Sequence, residues 1–332
     1  MLRVLLLTSE WPTPEAAHHG AFVVQQADYL RRAGVDLSVY AFRGQKNPLR
    51  YAFSYLEVRR LYDLDSFDLI HAHFGQSGLL ALFSRRPLVV TFHGSEVQGI
   101  VGPEGRYTAA GWLLQQVSSL VAHTADELIA VSERVCRYLP AEREVHVIPG
   151  GVNFELFRPL PRAEARAALN LPPDRLLVLF AADPARPVKR YRLAQTAVAL
   201  LGPGAALVVM SNVPHEMVPL YMSACDVLVL TSKHEGSPTV VKEALACNLP
   251  IVAVDVGDVR ERISDIDGCI VCDDDRPETI AAGLRCVLER GQRTRSRDLV
   301  GYLDEEKIVQ RILDVYRSAL GEAEGMLTGS RL

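Results

Sequence analysis

Long apolar runs are missing from this chain. None reaches the roughly 18 residues that a helix needs to cross a bilayer, so no membrane span is expected. The opening Met1–Ser9 (MLRVLLLTS) is too short for the three regions of a signal peptide and leads into charged sequence. It reads as a first strand, and a cytoplasmic protein is expected. Cysteine is sparse, and the six present fit free thiols in that compartment. Cys225 and Cys247 fall in apolar, helix-like segments and read as core. Cys269 and Cys272 form one C-x-x-C, half a zinc site at best, and the Ile270-Val271 between them suggests a strand. Excess positive charge is missing too. The net charge is −4, with Lys+Arg 36 against Asp+Glu 40, and residues 1–150 hold 14 Lys/Arg against 15 Asp/Glu. That argues against a nucleic-acid binder working through a basic surface. Arg43, Lys46, Arg50, Arg59 and Arg60 form the one candidate for peripheral contact with anionic headgroups at the inner face of a membrane. A solvated helix and loop face is the simpler reading of that group. No G-x-G-x-x-G occurs, which weakens a dinucleotide-dependent dehydrogenase. Low-complexity segments and short-period repeats are absent.

What the chain does have is alternation. Strands are expected at Arg3–Leu7, Leu37–Phe42, Leu69–His71, Leu88–Phe92, Glu127–Val131 and Val145–Ile148. Amphipathic stretches fit between them, such as Ala21–Ala33 with Gly34 past its end as a C-cap. Pro149 to Pro159 reads as a linker. Alternation resumes with strands at Leu176–Phe180, Ala206–Val209, Asp226–Leu230, Pro250–Val254 and Cys269–Val271. Length suits two domains of roughly 150 residues. The expectation is two α/β domains with parallel sheets, covered on both faces, that face each other across a cleft. A last helix is expected over about Glu305–Leu320, and the tail from Gly321 is expected to be disordered.

The densest chemistry lies in Ser232–Pro250 (SKHEGSPTVVKEALACNLP). Glu235 and Glu243 stand eight positions apart there. Such a pair alone is more often a solvated helix face. Between them, Gly236-Ser237-Pro238 reads as a helix start, with Ser237 as N-cap and Pro238 in the first helical position. The next free amides, on Thr239, Val240 and Val241, would then form an anion site at the positive end of the helix dipole. The unit is strand, loop, helix, strand, with its polar groups at the strand's C-terminal end, where open α/β sheets bind ligands. An anion site flanked by two carboxylates suits a ligand with both phosphate and hydroxyl groups, such as a nucleotide sugar.

The run S-x-x-E-G-S-P-x-x-x-x-E-A-x-A-x-x-x-P-I-V-A resembles the donor-site signature of retaining glycosyltransferases of family 4. HAHFGQSGLLA at His71–Ala81, TFHGSE at Thr91–Glu96 and VIPGGVNFELFRP at Val147–Pro159 look like the same family. The resemblance covers nearly the whole chain. It implies the GT-B fold, two Rossmann-like domains with the active site between them and a final helix that returns to the first. In these terms residues 1–153 form the acceptor-side domain, 154–303 the donor-side domain, and 304–332 the returning helix and tail.

The resemblance also implies roles. The amides of Thr239 and Val240, with Gly236, Ser237 and Pro238 around them, would hold the donor diphosphate. Lys189 would be the matching cation. Family members usually carry Arg five residues earlier, where this chain has Pro184, and Arg186 is the nearest substitute. Glu235 would bind sugar hydroxyls near the reacting carbon, and Glu243 the ribose hydroxyls, since a carboxylate offers two acceptor oxygens to a diol. His93 would line the donor sugar. The Ser9–Gly20 loop, where Gly20 lets the backbone approach closely, would meet the diphosphate or the acceptor. Backbone atoms of Asn212–His215, Val213 and Pro214 among them, would contact the base, with uracil preferred. No metal or other cofactor is expected, and the leaving phosphate would deprotonate the acceptor on the same face. The acceptor is left open among a glycan, a lipid-linked sugar and a small molecule, with envelope polysaccharide assembly as the family's habit.

Other readings stand beside this one. They are a nucleotide-sugar epimerase or hydrolase of the same fold, a non-catalytic nucleotide-sugar binding module, and a metal hydrolase built on the H-x-H of His71 and His73. The last has no third ligand at a fitting spacing. Asp273-Asp274-Asp275 looks like a metal cluster but reads better as a solvated loop.

Overall fold

The structure, a computed structural model, describes residues 1–13, 20–43, 48–100, 102 and 106–321. Lys46, most of the loop before Gly20, and the tail beyond Gly321 lie outside them. Two parallel sheets carry the chain. The first contains β1 (Arg3–Thr8), β2 (Asp36–Ala41), β3 (Leu69–His73), β4 (Leu88–Phe92), β5 (Glu127–Ala130) and β6 (Val145–Val147), in the order β2-β1-β3-β4-β5-β6. The second contains β7 (Leu176–Phe180), β8 (Ala205–Val209), β9 (Val227–Leu230), β10 (Ile251–Val254) and β11 (Ile270–Cys272), in the order β11-β10-β9-β7-β8. Every expected strand forms within two residues of its expected span.

The strands are apolar because both faces are covered. β3 and β4 are buried at every position, polar His71, His73 and Thr91 included. In each sheet the strand order reverses beside the opening strand, between β1 and β3 and between β7 and β9. Such switch points leave a crevice at the strands' C-terminal ends. The first helix (Ala21–Arg32) ends as its sequence suggests, with Gly34 at φ +88° just beyond it. The cysteines are free thiols. Burial pushes Cys269 up to about 12 and Cys272 up to about 11, which suits inert core positions better than metal ligands.

Two chain segments join the halves, and they pair with each other. The Val152 N–H donates to the Leu303 carbonyl at 2.9 Å, and the Glu305 N–H to the Val152 carbonyl at 3.0 Å. The C-terminal helix (Glu305–Ala319) then packs on the first sheet, where Ile308, Ile312 and Tyr316 join Val4, Leu6, Val89 and Ile129 in one core. No helix among the described residues is long and apolar enough to cross a membrane. Within the basic group, Arg59 donates to the carbonyls of Leu80 and Leu82 and lies over the Tyr55 ring, while Arg43 donates to Thr13 Oγ1.

Tyr316 reaches deepest. Its hydroxyl lies 2.7 Å from His71 Nδ1, and His71 Nε2 lies 2.8 Å from Thr91 Oγ1. Tyr316→Phe leaves that buried imidazole nitrogen unpaired, which should lower the free energy of unfolding in urea by about 1–3 kcal/mol. An unchanged denaturation midpoint would show that this bond contributes nothing to seating the returning helix.

Candidate active site

The helix that follows β9 begins one residue later than expected. It runs Thr239–Ala246, and Pro238 is its N-cap, at φ −66° and ψ 116°, with no side chain capping it. Ser237 is therefore not the cap. A residue before proline is driven toward extended backbone, and the Ser237 hydroxyl is drawn instead to the buried Asp258, donating to Oδ2 at 2.8 Å. The helix mouth is left without a capping side chain, and its first N–H groups have no acceptor within the helix.

Facing the mouth is the segment after β7. A short 3-10 turn, Pro187–Lys189, ends at Arg190 in the left-handed region. Hydrogen bonds hold it against the loop after β9: Thr231 Oγ1 donates to the Lys189 carbonyl at 2.9 Å and the Lys233 N–H to the Val188 carbonyl at 2.8 Å. Arg190 pairs with Asp275, and Asp274 takes Arg276, so the acidic triplet spends two of its carboxylates on loop arginines. Lys189 Nζ lies 2.6 Å from Glu235 Oε1, both side chains largely covered. Arg186 is exposed and lines the cleft beside them.

Across the cleft, His93 directly follows β4. Its Nε2 lies 3.0 Å from His73 Nδ1, and the rings of Phe22 and Phe74 pack against it. Glu96 fixes the turn, accepting the N–H of His93 at 2.6 Å and of Gly94 at 2.9 Å. Burial pushes the Glu96 carboxyl up to about 7 in spite of those donors. Burial also drops His73 to about 3 and holds His71 and His93 well below the usual imidazole range, so the cluster is neutral. Both nitrogens of His71 are taken by Tyr316 and Thr91, which leaves it no lone pair for the metal pair weighed above.

The halves touch backbone to backbone. A Cβ on Gly236 would fall 1.8 Å from the His93 carbonyl oxygen, and one on Gly94, at φ +124°, would fall 2.9 Å from the Gly236 Cα. Ser132 Oγ donates to the Gly236 carbonyl at 3.0 Å. Beside this contact lies a cleft of about 320 Å³, and a second of about 430 Å³ adjoins it through His93, Arg186, Lys189, Glu235 and Gly236.

The first cleft brings together Glu235, His93, Lys189, Arg186, Gly236, Ser237, Pro238, Thr239 and Val240. Glu243, Gly20, Val213 and Pro214 are not among its lining residues. Glu243 is buried and pairs with His215 Nε2 at 3.1 Å. Burial lowers the His215 imidazole, but its bond to Glu243 and the charges of Glu243 and Glu216 outweigh that and leave it raised. Gly20 sits at the start of the first helix, against the Glu10 carbonyl, and Glu10 and Phe22 line the cleft in its place. Two charged lining residues had no signal in the motif: Lys242, one position before Glu243, and Glu305, the first residue of the C-terminal helix. Each is a charged residue at a position buried as deeply as its apolar neighbours.

Two family models match, Glycosyltransferase Family 4 over residues 2–156 and Glycosyl transferases group 1 over residues 163–299. The chain is 27% identical over 327 residues to a D-inositol 3-phosphate glycosyltransferase of Nocardiopsis dassonvillei, covering 81% of this chain and 74% of that one. Among solved structures, a sucrose-phosphate synthase of Thermosynechococcus elongatus superposes with a TM-score of 0.77 at 20% identity, over 97% of this chain and 100% of the other. HepE of Anabaena, solved with UDP-glucose, superposes with a TM-score of 0.72 at 18% identity, over 96% and 100%. Likeness at these identities is one of fold.

The neutral cluster sets a sign for pH dependence. His71, His73 and His93 have depressed values in the fold, so their contribution is present above about pH 6.5 and is lost as pH falls. Glu96 and Glu305, both raised to about 7, contribute in the opposite sense, present at low pH and lost as pH rises through about 7. Between about pH 5 and about pH 6, three imidazoles gain a proton on unfolding while two carboxyls lose one. Stability in urea should therefore rise across that interval. His73→Asn should flatten the rise, and stability that falls over the interval would contradict a neutral cluster.

Proposed function

We propose that this chain, which belongs to the family 4-like glycosyltransferases of the GT-B fold, transfers a sugar from a nucleoside-diphosphate sugar to an acceptor hydroxyl, with retention of configuration and without a metal ion. The observation that carries this reading is the 2.6 Å contact of Lys189 with Glu235 at the uncapped mouth of the Thr239–Ala246 helix, opposite His93. Both charges stand where a ligand with phosphate and hydroxyl groups would need them. With donor bound, Lys189, Arg186 and the amides of Thr239 and Val240 face the diphosphate, where charge builds as it departs. Glu235 accepts from sugar hydroxyls near the reacting carbon. His93, neutral and held by His73, offers one more hydrogen bond to the sugar without adding positive charge to an oxocarbenium-like centre.

The acceptor enters through the adjoining cleft, past Ser95, Gln98 and His234. The sugar–phosphate bond breaks, the acceptor oxygen bonds to the same face of the anomeric carbon, and its proton passes to the departing diphosphate. Glu235 is not a nucleophile on this route. The likeness to HepE, solved with UDP-glucose, supports a UDP-sugar donor. Glu243 with His215 is the proposed ribose end of the site, with Val213 and Pro214 beside the base. Glycan, polysaccharide or glycoconjugate synthesis is the process such an activity serves.

The direct test is thermal unfolding with UDP, GDP, ADP or NAD, each in excess EDTA. A nucleoside diphosphate at about 100 times its dissociation constant should add about 2.7 kcal/mol to stability, and the one that does names the base. No shift with any diphosphate, or a fall caused by EDTA alone, counts against the proposal. Free sugar released from donor at a rate indifferent to acceptor would favour a hydrolase instead.

Replacing the carboxylates separates their roles. Glu243→Ala should weaken nucleotide binding, whereas Glu235→Ala should bind nucleotide and transfer sugar at least about tenfold more slowly, the loss of one charge-assisted contact. Negligible effects of both changes on binding and on rate would sink these assignments.

A further inference from the structure

Lys242 is the fourth residue of the Thr239–Ala246 helix and is 2% exposed. Helical side chains lean toward the helix N-terminus, and this one reaches Ser237 Oγ at 3.2 Å, five residues back, in the loop before the helix. Its ammonium therefore lies at the helix mouth and lines the same cleft as Lys189 and Glu235. An ammonium has three donors. Ser237 takes one, and its own hydroxyl is spent on Asp258 Oδ2, an oxygen that Arg262 Nε already holds at 2.8 Å. Among the described residues Lys242 makes no ion pair and no other hydrogen bond. A buried charge left with unused donors is costly unless something else satisfies them. The neighbouring wall is also incompletely paired: Glu305 is buried in the same cleft, with Oε2 taking Gln25 Nε2 at 2.6 Å while Oε1 has no partner. The backbone leaves room as well, since a Cβ on Gly150 would come within 3.4 Å of the Lys242 ammonium.

We propose that Lys242 binds the donor diphosphate directly, as a third cation at the helix mouth beside Lys189 and Arg186. The assignment rests on the nucleotide-sugar reading above and deepens it. Its electrostatic consequence is a proton. Burial, with Arg262 pressing the same way, lowers the Lys242 ammonium to about 8, against the pull of Asp258, Glu305 and Glu243. Burial and His73 keep the His93 imidazole uncharged, and the Lys242 charge disfavours its protonation further. A diphosphate at this place favours the charged ammonium, so binding takes up a proton in alkaline solution. The phosphates do not supply this dependence, because their last ionisation lies near about pH 6, and ionisation of the base is shared with the corresponding nucleoside.

The test is calorimetric titration of the full chain from about pH 7 to about pH 9.5 with UDP, or with whichever of GDP and ADP stabilises it, and with the corresponding nucleoside. For the wild type the dissociation constant of the diphosphate should rise relative to that of the nucleoside by up to about tenfold per pH unit above about pH 8. Lys242→Met should weaken diphosphate binding about tenfold or more near neutral pH and flatten the profile. Lys242→Arg, whose charge does not titrate, should flatten the profile while keeping most of the affinity. Should Lys242→Met fail to fold, the wild-type and Lys242→Arg profiles decide. Tight diphosphate binding with a flat wild-type profile, or wild-type affinity in a folded Lys242→Met, overturns the assignment and leaves the nucleotide-sugar reading intact. If no nucleoside diphosphate binds the wild type at any pH, that reading fails and the role of Lys242 fails with it.

Discussion

The contact of Gly236 with His93 is the constraint on which the site depends. A peptide from the loop after β9 lies against a peptide from the end of β4, with no side chain between them. Only glycine permits that approach. Ser132 ties the Gly236 carbonyl from the first half, and Glu96 holds the N–H groups of His93 and Gly94. One turn is thus clamped on each side of the cleft. Everything next to Gly236 in sequence, Glu235 before it and the helix mouth after it, is set in position opposite His93. A side chain at residue 236 would push the halves apart and carry Lys189 and Glu235 away with them.

The cleft walls differ in charge. On the wall built on the first sheet His93 is kept uncharged by burial, and the charged side chains that line the cleft there, Glu10 and Glu305, are acidic. The wall built on the second sheet holds Lys189, Arg186 and Lys242 with Glu235 among them. On the proposed reading an anionic ligand would be drawn to the second wall. That asymmetry suits a donor whose diphosphate must stay anchored while its sugar is presented across the gap. The two connecting segments, paired through Val152 and Glu305, meet at the same end of the cleft as Lys242.

Much of this was readable beforehand for a definite reason. Strands buried on both faces are continuous apolar runs, and such runs in alternation with amphipathic stretches specify parallel α/β layers whatever the details. The Glu235–Glu243 segment was legible because a helix start, a glycine and a carboxylate lie within a few residues of one another. Ser237 shows the limit. As an isolated peptide it has the makings of a cap, but Asp258, distant in sequence, offers its hydroxyl a stronger acceptor. Glu243 shows another limit, since its partner His215 comes from a different loop and Glu243 itself is absent from the lining of the main cleft.

The sequence by itself determined the fold class, the order of strands and helices, and the segment that carries the densest chemistry. Those follow from local periodicity and turn chemistry, which neighbours along the chain are enough to express. Tertiary structure decided which charges share a cavity. Lys189 lies 46 residues from Glu235, and Glu305 reaches the cleft only because the last helix returns to the first sheet. It also decided protonation, because the burial that holds three imidazoles neutral and lowers Lys242 is a property of packed neighbours and not of any residue alone.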